Sequence, residues 1–283
     1  MNILPLHKKL SGGELARVFE DVCVIQWAKE DPQTLVYSVA QKILESFEPN
    51  STEQAQLRRV VDYLAIEAGK SGLDNPYHNP LHTAHVLMMS AYFYTHNQDD
   101  FSETDYLKII IAAIGHDLDH PGQSNPSDIV DYNESVSGSK VAEILTMFGI
   151  KQSFVNDVIA MIISTSPNGP HEYIKGERAV PYPKQERIQP NSKLMEITQI
   201  LLDGDIFASS GSTPYVNKLM SEKLTEEAKM AGHPIDFTTA QSQLYFLEHV
   251  VGKDGFCSPA ARRMANDNFM NIYANTKGRL DLA

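Results

Sequence analysis

The sequence predicts an all-α protein. Apolar residues return at helical spacing through most of the chain, and no segment alternates at strand period between hairpin dipeptides. The connections are rich in Pro, Gly, Asn and Ser, as short links between packed helices are.

In chain order the helical pattern covers LARVFEDVCVIQWA (15–28), LVYSVAQKILESF (35–47) and EQAQLRRVVDYLAIEAG (53–69). It continues with HTAHVLMMSAYFYTH (82–96), YLKIIIAAIGHDL (106–118), SKVAEILTMFG (139–149) and FVNDVIAMIIST (154–165). IIIAAIG at 109–115 would by itself suit a buried strand as well as a buried helix, but no partner strands lie nearby, so a helix is expected. Residues 166–191 hold four prolines between 167 and 183, the composition of a linker or a long surface loop. A loop within one domain, residues 1–283, is expected, because candidate ligands lie on both sides of it.

Composition narrows the function. With 42% hydrophobic residues the chain can bury a sizeable core, and a formal charge of −12 argues against a surface that wraps nucleic acid. The longest apolar run, 109–115, is far below the ~20 residues of a membrane span, and the first residues lack the pattern of a secretory signal. A soluble, cytoplasmic protein with a small-molecule substrate is the expectation; the oligomeric state is not legible. Cys23 and Cys257 form neither a CxxC pair nor a thiolate cluster, so any metal must be held by imidazole and carboxylate.

Six of the ten histidines, His78, His82, His85, His96, His116 and His120, fall within 43 residues. His78/His82 and His116/His120 are each four apart, a spacing that on a helix would turn both rings to one face. An isolated histidine is more often a core residue bonded to backbone. Here, however, His116 and Asp117 end a run containing Ile109, Ile110, Ile111 and Ile114, and burying them there is costly unless they are paired or bind metal.

YHNPLHTAHV at 77–86 and GHDLDHPGQSN at 115–125 resemble the YHNxxHAxDV and HDxxHPGxxN motifs of class I cyclic-nucleotide phosphodiesterases, within the HD-domain superfamily. LDGDIFAS at 202–209 and SQLYFLEHVV at 242–251 resemble two later segments in the same order, so the resemblance runs over about residues 53–255. It implies a compact multi-helix HD-domain, phosphodiesterase-like fold with a binuclear metal site. His82, His116, Asp117 and Asp205 would be ligands of a first cation, commonly zinc, with Asp117 bridging to a second, magnesium or manganese. Asp205 is preferred to Asp203 because the family's ligand follows a small residue and precedes an apolar one, as Gly204 and Ile206 do here. By the same resemblance a hydroxide between the cations would attack a phosphodiester, His78 would protonate the leaving oxygen and His120 would lie beside the attacking water. Gln243 would read a base edge, Phe246 would stack on the base, and Tyr77 and Asn125 would complete the substrate contacts.

Three positions depart from that pattern. The Asp of YHNxxHAxDV is His85, either a changed supporting partner or an extra ligand. The family's ENHH segment aligns with residues 137–140, Ser-Gly-Ser-Lys, leaving Glu134 as the nearest acid. Only 37 residues separate Asp205 from Gln243, which implies a trimmed pocket wall. The leading expectation is a cyclic-nucleotide phosphodiesterase yielding a 5′-monophosphate. The alternatives are an HD-domain hydrolase of another phosphate ester and a metal-stabilised binding module without turnover.

Overall fold

A computed structural model describes residues 1–45, 47–97, 101–125, 131–166, 187–189, 192–233 and 235–281. Most of the expected 166–191 loop lies outside the described residues. Among those described there are helices and connections and no strand.

Helix α1 (Gly12–Val18) runs on as a π-helical stretch, Phe19–Gln26, and a short 3₁₀ turn, Trp27–Lys29. Then follow α2 (Pro32–Ile43), α3 (Thr52–Ala68), α4 (Pro80–Thr95), α5 (Glu103–Gly115), α6 (Tyr132–Met147) and α7 (Gln152–Ile163). The C-terminal part contributes α8 (Lys193–Ser210), α9 (Pro214–Met230), α10 (Ala240–Tyr245), a second π-helical stretch, Phe246–Gly252, and α11 (Pro259–Asp281). The starts are chemically marked: Asp31, Ser51, Asn79, Ser102, Ser192, Thr213 and Thr239 each accept a backbone N–H of the first turn. IIIAAIG is helical, within α5, and each of its residues is buried. Helix α6 begins seven residues before the predicted start, through a stretch whose Ser and Gly residues dilute the apolar pattern.

Helix α4 is buried on nearly every side and packs against α8, α2 and α5, which makes it the axis of the fold. It comes close to α8 at Gly204, where a Cβ would stand 2.3 Å from Ser90 Oγ. Only a residue without a side chain lets the two backbones meet there, and the next residue, Asp205, is thereby brought to the His82 side of α4. No described helix is long and apolar enough to cross a membrane.

Candidate active site

The four expected ligands arrive from three central helices. His82 sits in the first turn of α4, His116 caps the C-terminus of α5 with Asp117 following it, and Asp205 lies on α8. His82 Nε2 is 3.2 Å from His116 Nε2, 3.3 Å from Asp117 Oδ2 and 3.2 Å from Asp205 Oδ1. His116 Nε2 is 3.0 Å from Asp117 Oδ2 and 3.7 Å from Asp205 Oδ1. The i, i+4 pairs are not helix-face pairs, since His78 precedes α4 and His120 lies in the turn beyond α5. The spacing still brings each pair into one site, through turns.

These distances suit a cation. With ligand bonds of ~2.1 Å, neighbouring donors stand ~3.0 Å apart around an octahedron and ~3.4 Å around a tetrahedron. His116 Nδ1 lies 2.9 Å from the Ala113 carbonyl, which fixes the ring and leaves Nε2 for the cluster. Asp117 Oδ2 is buried without an aligned hydrogen bond, an arrangement a cation would satisfy. Burial drives the His82 imidazole down, but hydrogen bonds and charge from Asp117 and Asp205 outweigh it and push it up to about 10. His116 is raised in the same way against burial, and Asp117 is held well below the carboxylate range in spite of burial, by the His116 and His78 charges. Asp203, the rejected alternative, turns away: its carboxylate accepts the backbone N–H groups of Cys257 and Ser258 and fixes the start of α11.

His78 and His120 form a second layer with Asp117, their potential ligand atoms lying within 4.8 Å of one another. Their rings stack at 4.0 Å. Glu227, on α9, grips the His78 segment, taking His78 Nδ1 on one carboxylate oxygen and the Tyr77 and His78 backbone N–H groups, each at 2.9 Å, on the other. Burial would raise the Glu227 carboxyl, but the His78 ring and the two amides hold it down at about 2. Burial, and secondarily the His78 charge, pushes His120 down to about 4, so its ring is neutral near pH 7. Tyr77 lies against the His82 ring at 4.7 Å, with its hydroxyl 3.3 Å from Ser209 Oγ. Sequence reasoning missed Glu227, because nothing in EEAKM distinguishes it from its neighbour Glu226.

The departures find explanations. Gly138 packs onto Ile159 and Ile162 of α7, whereas Glu134, one turn earlier on α6, faces the site, its carboxyl raised by burial and accepting a hydrogen bond from Asn125 at 3.1 Å. His85 is no ligand of this cluster. It lies in the core between Phe19 and Trp27 with Nε2 2.9 Å from the Cys23 carbonyl, and burial pushes it down to about 3.

Above the histidines and acids opens a cavity of about 630 Å³. Its floor holds His78, Asp117, His120, Glu134 and Asp205; its walls include Tyr77, Phe237, Gln241, Tyr245 and Phe246. Gln243 does not line it. That side chain is buried in a small neighbouring cavity shared with Phe246, donating to Ser221 Oγ at 3.2 Å and accepting from Arg279 at 3.0 Å. Asn125 lines an adjoining cavity of about 200 Å³ on the far side of His78 and His120.

Residues 77–134 match the family model described as 3′5′-cyclic nucleotide phosphodiesterase. Over 55 residues the chain is 47% identical to the mouse high affinity cAMP-specific and IBMX-insensitive 3′,5′-cyclic phosphodiesterase 8A, covering 18% of this chain and 6% of that one. Over 58 residues it is 45% identical to the human high affinity cGMP-specific 3′,5′-cyclic phosphodiesterase 9A, covering 20% and 10%. The likeness thus spans a tenth or less of these relatives' length. The phosphodiesterase domain of the RhoPDE fusion protein from the choanoflagellate Salpingoeca rosetta superposes with a TM-score of 0.62 at 18% identity, over 88% of this chain and 91% of that one, which is a likeness of fold. The chain thus resembles the 3′,5′-cyclic nucleotide phosphodiesterases in the motifs of residues 77–134 and shares the fold of a phosphodiesterase domain.

Proposed function

We propose that the chain hydrolyses a 3′,5′-cyclic nucleotide to a 5′-monophosphate, with divalent cations held by His82, His116, Asp117 and Asp205. One observation carries this reading: four donor atoms at cation-ligand spacing, of which Asp117 and Asp205 reach the floor of a cavity that also presents an imidazole, His78, buttressed by a buried carboxylate. Zinc suits the imidazole-rich first position and magnesium or manganese the second, next to Asp117. When bound, such cations supply an acidified water as nucleophile and neutralise charge gathering on the phosphorus oxygens.

The protein's side chains do the remaining work. Glu227, accepting from His78 Nδ1, fixes the ring and leaves Nε2 to give a proton to the 3′-oxygen as the P–O bond breaks. His120, stacked on the His78 ring and pushed down by burial, is neutral near pH 7. Asn125 reaches this centre indirectly, through Glu134 and the Asn133 amide. At the far end of the cavity Phe246 offers a ring to a base. Gln243, after its bonds to Ser221 and Arg279, keeps one N–H and one lone pair for a base edge.

The loss of the family's acid at residues 137–140, which read Ser-Gly-Ser-Lys, favours a second reading, hydrolysis of a different phosphate ester. Purified protein with Mg²⁺ or Mn²⁺, offered 3′,5′-cyclic nucleotides, nucleoside monophosphates and dinucleotides, separates the two. The expected result is 5′-monophosphate from a cyclic nucleotide. Turnover confined to monophosphates or dinucleotides would establish the second reading, and metal binding without any turnover would leave a binding module.

A further inference from the structure

The proton donor and its stacked neighbour come from different loops. His78 lies on residues 69–79, before α4, and His120 on the turn that follows α5. Their rings meet at 4.0 Å and 27°, a relation that neither loop can set alone.

Asn75 joins them. Its Nδ2 donates to the His78 carbonyl at 3.0 Å and to the His120 carbonyl at 3.1 Å, so the two N–H bonds of one amide hold the backbone at both histidines. The surroundings are shaped to that amide. Gly122, at φ 67°, lies so close that a Cβ there would stand 2.5 Å from Asn75 Oδ1. Gly72, at φ 62°, faces the His78 carbonyl, which a Cβ would approach to 2.3 Å. Both glycines therefore serve conformation and close approach together. Asn75 is itself anchored, its N–H on the Gly72 carbonyl at 2.9 Å and its carbonyl accepting from Asn79 at 2.9 Å. A second tie runs alongside, from the backbone N–H of Asp119 to Ser71 Oγ at 2.8 Å, with Asp119 in the left-handed region at φ 62°.

We propose that Asn75 is a positioning residue: its amide sets His78 against His120 and so determines how efficiently His78 delivers a proton to the leaving oxygen. This rests on the phosphodiesterase reading above. Asn75 touches no reacting atom, and its effect on turnover is exerted through His78. The donor pair is what counts, so Asn75→Asp, of equal shape with oxygens facing two carbonyls, should be no better than Asn75→Ala.

The test uses the full chain loaded with Mg²⁺ and Zn²⁺, and two substrates. A cyclic nucleotide expels an alkoxide that needs a proton; a p-nitrophenyl phosphodiester expels a phenolate that does not. Asn75→Ala should lower kcat for the cyclic nucleotide at least about tenfold, part of the ~10² to 10⁴-fold typical of general acid catalysis, with KM changed less than about twofold. The p-nitrophenyl ester should lose less than about threefold, with metal content unchanged. Gly122→Ala should reproduce this pattern by displacing the Asn75 side chain, and the double variant should be no worse than the worse single one. Histidine ring NMR gives a readout independent of turnover: the ring-current shifts of His78 and His120 should relax toward unstacked values in Asn75→Ala. Equal loss on both substrates, or unchanged ring shifts, would overturn the proposal. A wild type inactive on every cyclic nucleotide would instead overturn the phosphodiesterase reading, and the ring shifts would still decide whether Asn75 sets the stack.

Discussion

The floor of the cavity and its outer wall are built by opposite rules. The floor rests on the cation-ligand cluster at α4, the end of α5 and α8, the helices at the centre of the core, with His82 and His116 almost wholly buried beneath it. The wall comes from α9, α10 and the connection between them, where Tyr245 is 64% exposed and Ile235 is 43% exposed. Floor geometry is therefore over-determined by packing, whereas a wall residue can change with little cost to the fold. Under the proposed function, reaction chemistry is assigned to the part of the molecule least free to vary and substrate choice to the part most free.

The sharpest way to break this comparison is at Asp117. Asp117→Asn removes a charge facing two imidazoles, so metal content should fall and turnover should drop by ~10³-fold or more, several kcal/mol of charge stabilisation being lost. Elemental analysis and steady-state kinetics measure both. A loss no greater than that of a wall variant would mean that the reaction centre is elsewhere.

One layer up, effects should be smaller and should spare the metal. His78→Ala should keep its cations and lose ~10² to 10⁴-fold in kcat, while Glu227→Gln should lose ~10 to 100-fold because the ring is misoriented rather than absent. Metal loss in His78→Ala equal to that in His82→Ala would make His78 a ligand.

The candidate ligand cluster was legible in the sequence because each of its residues lies in a short motif. His82, His116 and Asp117 sit in histidine-acid clusters beside apolar runs, and the small-Asp-apolar context chose Asp205 over Asp203, which the structure shows bonded to the start of α11. The helices were legible too, apart from the start of α6 and the π-helical stretches, since neither backbone winding nor packing on α7 leaves a mark in hydrophobic period. What escaped is what depends on tertiary approach. Glu227 is 149 residues from His78, and Asn75 acts through two carbonyls that carry no sequence signal. The i, i+4 histidines suggested helix faces, but left-handed residues and turns deliver them instead.

Glu227 also gives the pair a pH signature in stability. Its folded carboxyl is held at about 2, below the unfolded value of 4.5, so above that value the carboxylate is charged in both states and the stabilisation is complete. As pH falls from about 4.5 through about 2 the unfolded chain takes up the proton first, and the contribution is lost. The difference in urea midpoint between wild type and Glu227→Gln should therefore be largest above pH 5 and close as pH falls toward 2, an effect of at most ~3 kcal/mol. A difference that stays constant through that range would mean that Glu227 contributes by packing alone.

The smallest effects, and the ones that most sharpen the comparison, concern two glutamines two residues apart. Gln243 is buried and spans Ser221 and Arg279, while Gln241 is exposed and lines the cavity directly. Gln243→Ala should cost ~1 to 3 kcal/mol of stability, because its buried partners are left without a bond, whereas Gln241→Ala should stay within ~0.5 kcal/mol of wild type. Removing a single hydrogen bond to the base should by itself cost ~0.5 to 1.5 kcal/mol, a rise of roughly two- to twelvefold in KM for the cyclic nucleotide and none for an aryl phosphodiester without a base. If that selective rise follows Gln243→Ala, its bonds to Ser221 and Arg279 serve to orient an amide that reads the base. Should it follow Gln241→Ala instead, with Gln243→Ala lowering stability and both substrates alike, base reading has moved two positions onto the exposed side of α10. The wall would then differ from the floor in kind, because a specificity determinant could shift along the chain while every ligand below it stayed fixed.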